Sequence, residues 1–210
     1  MKLIEAYHVI ETEITGKELK MVEKAARNCY KSEDKITEDG GSARRITKTL
    51  LINGHESPIE FTDIVVRFIC DRAISHELVR HRLCSFAQES QRYCNYSNGK
   101  FNAEVTFIRP WWLHEDDEGY SEFVKACQDA EDKYFELLSL GWHPEQARGV
   151  LPNATKTDIL VKANLREWRH ILKERTDLGA HVDMRHLMTG VLEEFQQLIP
   201  GVFDDIPVRR

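Results

Sequence analysis

One fourteen-residue segment, Arg80–Tyr93, concentrates the side chains best suited to binding an anion. It contains three arginines, one histidine, two serines and one tyrosine, and only Leu83, Phe86 and Ala87 are plainly apolar. The planar fork of arginine suits bidentate contacts with phosphate or with a uracil-like imide edge. Because hydroxyls and amides lie between the arginines, the segment predicts a rigid anion site for a nucleotide. The alternative interpretation is a solvated charged face.

The overall composition limits the classes of function that remain. The 210 residues carry a formal net charge of −6, so no global basic field exists to hold DNA or RNA. The length, with 41% hydrophobic and 30% charged residues, predicts a single soluble globular domain over 1–210. No Gly-x-Gly-x-x-Gly and no Gly-x4-Gly-Lys motif occurs, so side chains must hold the pyrophosphate of any bound dinucleotide.

The cysteine pattern and the lack of long apolar runs indicate the cellular compartment. The five cysteines are an odd number and form no Cys-x-x-Cys pair, and no signal-like apolar run follows Met1. No stretch approaches the roughly 20 apolar residues of a membrane helix, so we expect a cytoplasmic protein with reduced thiols and no membrane partner. Cys84, close to Arg82, is a candidate nucleophile, with a structural cysteine as the favoured interpretation. Ser90 is better explained as a phosphate-binding hydroxyl.

The histidines offer only weak metal sites. His76 and His81 are five residues apart, about 140° around a helix, and therefore do not share a face. His181, Asp183 and His186 form another loose cluster, for which packed or hydrogen-bonded histidines are the commoner alternative. We predict no metal.

Hydrophobic spacing predicts the elements that position these residues. We expect strands over 2–12, 64–70 and 155–163, and helices over 17–31, 43–53, 119–140, 164–175 and from 180 to 195, with 94–117 irregular. Ser42 is predicted to cap the second of these helices, and Asp71 to cap a further helix that delivers Glu77 to His81. The apolar stripe from Ala180 to Phe195 predicts a packing face in the core or between subunits.

The Arg80–Tyr93 segment resembles the signature of flavin-dependent thymidylate synthases, in which Arg-His-Arg, seven residues, Ser and x-Arg-Tyr follow one another. Other segments between about His55 and Arg185 resemble the same family in the same order. The resemblance implies conversion of dUMP to dTMP, with 5,10-methylenetetrahydrofolate as carbon donor, reduced FAD as hydride donor and NADPH regenerating the flavin. It also implies an α+β fold, with a mixed or antiparallel sheet flanked by long helices, and a homotetramer that shares active sites between subunits.

The family's site residues carry over to matching positions. By resemblance, the FAD contacts are Ser57, Arg80, His81, Arg82, Gln88, Asn164, Leu165, Arg166 and His170, with Glu60 supporting the site. By resemblance, the dUMP contacts are Glu77, Leu78, Val79, Arg80, Gln88, Glu89, Ser90, Gln91, Arg92, Arg148 and Arg175. Arg148 is expected to reach the nucleotide phosphate across a subunit boundary, and Arg175 to polarise the uracil ring as the catalytic residue.

Each carried-over segment has a plainer alternative. A turn before a strand explains Pro58, though not the carboxylates beside it. The helix after Asn164 is also explained as a surface helix with ion pairs. Arg175 is also explained as a cation at a helix C-terminus, which stabilises the helix by about 0.3–1 kcal/mol. The chain also departs from the family: Gln88 stands where many members have Glu, and His181 stands where they have Gln.

Two other functions remain open from the sequence. One is a nucleotide-binding or RNA-binding module without catalysis, and the other is a flavin-dependent methylase acting on uracil in RNA. The acidic net charge argues against RNA, so we expect no nucleic-acid partner.

Overall fold

The computed structural model describes residues 1–209, apart from the side chain of residue 100. Within this range the strands are β1 (Lys2–Ile4), β2 (Tyr7–Ile10), β3 (Asp63–Asp71), β4 (Ser85–Gln88), β5 (Thr106–Ile108) and β6 (Lys156–Asn164). The helices are α1 (Lys17–Tyr30), α2 (Gly41–Ile52), α3 (Arg72–Leu78), α4 (Tyr120–Ser139), α5 (Pro144–Ala147), α6 (Leu165–Arg175) and α7 (Val182–Leu198). Short 3₁₀ turns cover 33–35, 57–61, 99–101 and 148–150.

The strands form two sheets. β1 and β5 pair in parallel, with Lys2 opposite Thr106 and Ile4 opposite Ile108. The four-stranded sheet has the order β2-β3-β6-β4. Alternate residues of its long strands are buried, as at Ile64, Val66 and Phe68 in β3 and at Ile159 and Val161 in β6, which is the pattern of a sheet with one packed face.

The chain divides into two compact units. The first unit contains residues 1–7, 68–80 and 86–160, and the second contains 8–67, 81–85 and 161 to the end of the described chain. The first has a core of Tyr96, Val105, Phe107, Cys127, Tyr134 and Ala147. Glu131 of α4 lies at the edge of this core, where its carboxylate accepts a hydrogen bond from the backbone N–H of Val105 at 2.7 Å.

The second unit is built around α6 and α7. Trp168 is fully buried, and its indole N–H donates to the carbonyl oxygen of Ile64 at 3.0 Å. Its ring meets Phe195 of α7 edge-on with centroids 5.5 Å apart. These contacts fix which side of α6 faces the core, and therefore which side faces away from it.

The predicted α+β class is confirmed, and most predicted elements lie within two residues of their observed bounds. Asp71 is the N-cap of α3, where its carboxylate accepts from the backbone N–H of Ile74 at 2.7 Å. α3 ends at Leu78, however, so His81 lies beyond the helix that was expected to reach it.

Three local predictions are wrong. The expected strand 2–12 breaks at Glu5–Ala6, because β1 and β2 join different sheets. Ser42 lies inside α2, which begins after the left-handed Gly40, and its hydroxyl instead donates to Glu23 at 2.9 Å. The expected irregular stretch contains β5, whose partner strand is about 100 residues away.

No helix in residues 1–209 is long and apolar enough to cross a membrane.

The indole of Trp168 provides a test of the second unit's core. Trp168→Phe removes the donor to the buried Ile64 carbonyl, and an unsatisfied buried acceptor costs about 1–3 kcal/mol. Trp112→Phe, a substitution of the same type at a half-exposed site, should change the free energy of unfolding by less than about 0.5 kcal/mol. Urea unfolding of both variants measures the difference, and equal losses would contradict this account.

Candidate active site

A group of titratable side chains surrounds His81 in the second unit. Glu167, His170 and Arg175 lie three to five residues apart along α6, so they project from neighbouring turns of the helix. The Nε of Arg175 donates to Nε2 of His81 at 3.0 Å, and Nδ1 of His81 lies 3.9 Å from a carboxylate oxygen of Glu167. The rings of His81 and His170 meet edge-on with centroids 5.8 Å apart.

The environment keeps His81 uncharged. Burial lowers the pKa of His81 to about 4, and the neighbouring Arg175 guanidinium contributes to the same shift. An arginine only donates, so Nε2 of His81 must be the acceptor and the ring proton lies on Nδ1. The Arg175 guanidinium is therefore oriented by a neutral imidazole.

A pocket of about 710 Å³ opens beside α6. This volume falls within the range of small-molecule and cofactor sites. Its lining residues are mostly charged or polar: Glu56, Glu60, Leu83, Asn164, Arg166, Glu167, Arg169, His170 and Lys173. Three of them, Asn164, Arg166 and His170, are among the residues predicted to contact FAD.

Ser57 lines a second pocket of about 400 Å³, whose lining also includes Glu56 and Arg166. The two pockets thus share residues, and Ser57 lies close to the other predicted FAD residues of this unit. The side chain of Arg82 is exposed.

The arginines of the large pocket differ in how they are held. Arg166 is half-exposed and pairs with Glu60 at 2.6 Å and with Glu56 at 3.4 Å. Arg169 is buried and makes a two-pronged contact with Asp205 at 2.6 and 2.7 Å. An anion that contacts Arg166 must therefore compete with two carboxylates, whereas Arg169 is already committed to a protein partner.

Two pocket atoms bear on whether a bound group fits. The Nε of Arg169 is buried and lacks a hydrogen-bond partner within the described residues, so it is a donor that a ligand oxygen could satisfy. The side-chain oxygen of Asn164 accepts from the backbone N–H of Glu167 at 2.9 Å and caps α6. That cap fixes the start of the helix whose residues line the pocket.

The first unit brings together the predicted phosphate ligands. Arg92 lies 3.4 Å from the carboxylate of Glu145, and the Nε of Arg148 donates to the backbone carbonyl of the same glutamate at 3.3 Å. The hydroxyl of Ser90 accepts from the backbone N–H of Arg92 at 3.3 Å. Arg92 and Arg148, distant in sequence, thus both lie beside Glu145.

Other predicted residues of the first unit have structural contacts. The Gln88 amide donates to the hydroxyls of Ser75 at 2.9 Å and Thr157 at 3.1 Å. Leu78 is in the core, as is Leu165 of the second unit, so a ligand could meet only their main-chain atoms. Val79 and Arg80 follow the end of α3 and are exposed.

Cys84 is poorly suited to nucleophilic attack. Burial raises the pKa of the Cys84 thiol to about 12, and the Glu167 carboxylate adds to this effect. The thiolate is the nucleophilic form, so the structural interpretation of this cysteine is favoured.

Ligand atoms of His81, His170 and Glu174 lie within 4.8 Å of one another, close enough to surround a cation. The sequence did not single out this group. Arg175 donates to Nε2 of His81, so that nitrogen cannot bind a metal while the hydrogen bond lasts, and the nearby guanidinium repels a cation.

Sequence reasoning also missed several pocket residues. Glu56, Glu167, Arg169 and Lys173 line the large pocket, and three of them lie on α6 at spacings of two and four residues. The spacing of four between Arg169 and Lys173 on a predicted helix was a usable signal, because residues three or four apart share a face. Lys156 and Tyr96, which contact Glu89, carried no local signal.

Comparison with known proteins places this site in context. Residues 12–201 match the family described as "Thymidylate synthase complementing protein". A flavin-dependent thymidylate synthase of Corynebacterium efficiens is 34% identical over 94% of this chain and 83% of the relative. The enzyme of the same name from Pyrococcus abyssi is 37% identical over 78% of this chain and 66% of the relative.

A solved structure shares the fold. The UMP/dUMP methylase of Streptomyces cacaoi, bound with 5-Br dUMP, aligns with a TM-score of 0.79 over 97% of this chain and 96% of that one, at 23% identity.

The low pKa of His81 predicts how stability depends on pH. In the unfolded chain His81 binds a proton near its ordinary pKa of 6.5, but in the folded chain only near 4, so stability falls as pH drops between these values. His81→Gln keeps an uncharged side chain at this position. It should reduce the loss in free energy of unfolding between neutral and acidic pH by up to about 3 kcal/mol. Urea unfolding between pH 4.5 and 7.5 measures it, with His114→Gln as the control for replacing an exposed histidine. An unchanged pH slope in His81→Gln would refute the assignment.

Proposed function

Because this chain belongs to the flavin-dependent thymidylate synthase family, we propose that it converts dUMP to dTMP with 5,10-methylenetetrahydrofolate as carbon donor. In this proposal reduced FAD supplies the hydride, and NADPH is the reductant that regenerates it. The observation that carries the proposal is the convergence of Asn164, Arg166 and His170 on one pocket of about 710 Å³. A family signature retained without a binding function would not require that convergence.

We propose that nine residues hold the FAD. They are Ser57, Arg80, His81, Arg82, Gln88, Asn164, Leu165, Arg166 and His170. Their chemistry fits a dinucleotide, because Arg166 can exchange its carboxylate partners for a pyrophosphate, and because the Nε of Arg169, which has no hydrogen bond and lies 3.7 Å from a Glu56 oxygen, can donate to a ligand oxygen.

We propose that dUMP binds residues of the Arg80–Tyr93 segment together with Arg148 and Arg175. Ser90 and Arg92 suit the phosphate, since a hydroxyl and a guanidinium lie in one turn. We propose that Arg148 adds a second guanidinium from a neighbouring subunit. Glu77, Leu78, Val79, Arg80, Gln88, Glu89 and Gln91 complete the proposed contacts. We further propose a cytoplasmic homotetramer whose subunits share active sites.

The chemical role of Arg175 follows from its position. A cation beside the imide of uracil stabilises the enolate-like anion and thereby raises the nucleophilicity of carbon 5. His81 accepts the Nε–H of Arg175, which orients the guanidinium plane. Because His81 is neutral, it adds no competing positive charge beside the ring. The reaction requires no protein nucleophile, in agreement with the protonated Cys84 thiol.

The first test of the proposed function uses the purified chain. It should bind FAD and give a flavin absorbance spectrum, and the FAD-loaded protein should form dTMP from free dUMP when methylenetetrahydrofolate and NADPH are supplied. A chain that takes up no FAD would refute the proposal. Nucleotide binding without turnover would favour a nucleotide-binding module without catalysis. Methylation of uracil only in RNA would favour a flavin-dependent RNA methylase.

Arg175 provides the second test. Arg175→Ala should fold and retain FAD but form dTMP about 100–1000-fold more slowly, which is typical for the loss of one preorganised electrostatic contact. Arg175→Lys should recover only part of the rate, because an ammonium lacks the planar fork.

The helix-end alternative gives a different result for the same variant. If Arg175 only complements the helix dipole, Arg175→Ala loses about 0.3–1 kcal/mol of stability and keeps near-normal turnover. FAD content, melting temperature and single-turnover dTMP formation distinguish the two outcomes.

A further inference from the structure

Each oxygen of the Glu89 carboxylate accepts a hydrogen bond from a protein donor. One oxygen accepts from Nζ of Lys156 at 2.7 Å, and the other accepts from the hydroxyl of Tyr96 at 3.1 Å. The side chain of Glu89 is 11% exposed and that of Lys156 is 23% exposed, so little water screens the pair. Neither Lys156 nor Tyr96 has a role in the function proposed above.

Neighbouring bonds attach the same stretch of chain to β6. The backbone N–H of Glu89 donates to the carbonyl of Asp158 at 2.8 Å, and the Gln88 amide donates to the hydroxyl of Thr157 at 3.1 Å. Three consecutive residues of β6, 156–158, therefore each contact the end of β4. The ion pair is the only charged contact in this set.

The segment that follows Glu89 is a closed turn. The backbone carbonyl of Ser90 accepts from the backbone N–H groups of Tyr93 at 3.1 Å and Cys94 at 3.0 Å. The side-chain hydroxyl of Ser90 accepts from the backbone N–H of Arg92. A turn closed by its own hydrogen bonds moves largely as one piece. Whatever holds Glu89 thus also sets the position of Ser90 and Arg92.

We propose that Lys156 is a positioning residue for dUMP, which holds Glu89 and through it the Ser90–Arg92 turn that binds the nucleotide phosphate. This inference rests on the proposed function, since it takes dUMP as the substrate. Without Lys156, a poorly hydrated carboxylate loses its counterion and must turn toward water, which displaces the turn attached to it. Glu89 then contributes to binding as a support for the turn.

The test compares variants of the FAD-loaded protein. Lys156→Met keeps the length of the side chain and removes its charge. It should weaken dUMP binding by about tenfold or more, which is the effect of losing one hydrogen bond to a charged group such as the phosphate. Its KM for dUMP should rise while kcat at saturation stays within about threefold of the starting protein. Lys156→Arg should restore most of the affinity.

Lys162→Met is the matched control. Lys162 lies on the same strand and pairs with Asp63 at 2.8 Å, but both side chains are about half-exposed, so its removal should leave dUMP affinity unchanged. Titration calorimetry with dUMP, FAD content and melting temperature are measured on every variant. Unchanged dUMP affinity in Lys156→Met would overturn the inference, as would equal losses of dUMP and FAD binding.

A double variant covers the case in which Lys156→Met does not fold. Lys156→Met/Glu89→Gln removes both charges and leaves no unpaired carboxylate, so it should fold. Because Glu89 is also a proposed dUMP contact, the double variant is compared with Glu89→Gln alone and should bind dUMP more weakly than that single variant. Equal affinities of these two variants would overturn the inference. If the unmodified chain itself fails to bind dUMP, the proposed function falls first, and the two failures are therefore distinguishable.

Discussion

A buried guanidinium determines how the second unit is assembled. Arg169 is only 3% exposed, and a charge so far from water is strongly unfavourable unless protein groups solvate it. Asp205 provides two hydrogen bonds, and the carbonyl of Val202 provides a third. The C-terminal segment must therefore lie against α6, and this fixes the rotation of the helix about its axis. Asn164, Arg166, His170 and Arg175 acquire their positions from that rotation.

The same helix has one face in the core and another that lines the large pocket. Trp168, Ile171 and Leu172 are buried, whereas Arg166, His170 and Lys173 line the pocket. The separation follows from the 3.6-residue period, because residues about two positions apart point to opposite sides. Substitutions in the core of this unit will consequently also disturb the pocket.

The sequence was informative where local rules decide the outcome. Asn164 and the apolar spacing after it defined α6 nearly to the residue, and Asp71 defined the start of α3, because capping and periodicity act over a few residues. β4 was not predicted, since Ser85–Gln88 is only four residues long and becomes a strand only by pairing with β6. The Lys156–Glu89 and Arg175–His81 contacts join residues 67 and 94 positions apart, and no local pattern encodes such pairs. Family resemblance named the candidate site residues, but it did not predict that His81 is buried and uncharged.

The indole of Trp168 also gives the second unit an optical property. It is fully buried beside Glu167 and Arg169 of the pocket, whereas Trp111, Trp112 and Trp142 are 40–49% exposed. A shielded indole emits at shorter wavelength than one in water, and a soluble quencher such as iodide does not reach it. The four tryptophans of this chain thus divide into one indole shielded from solvent and three that report on it.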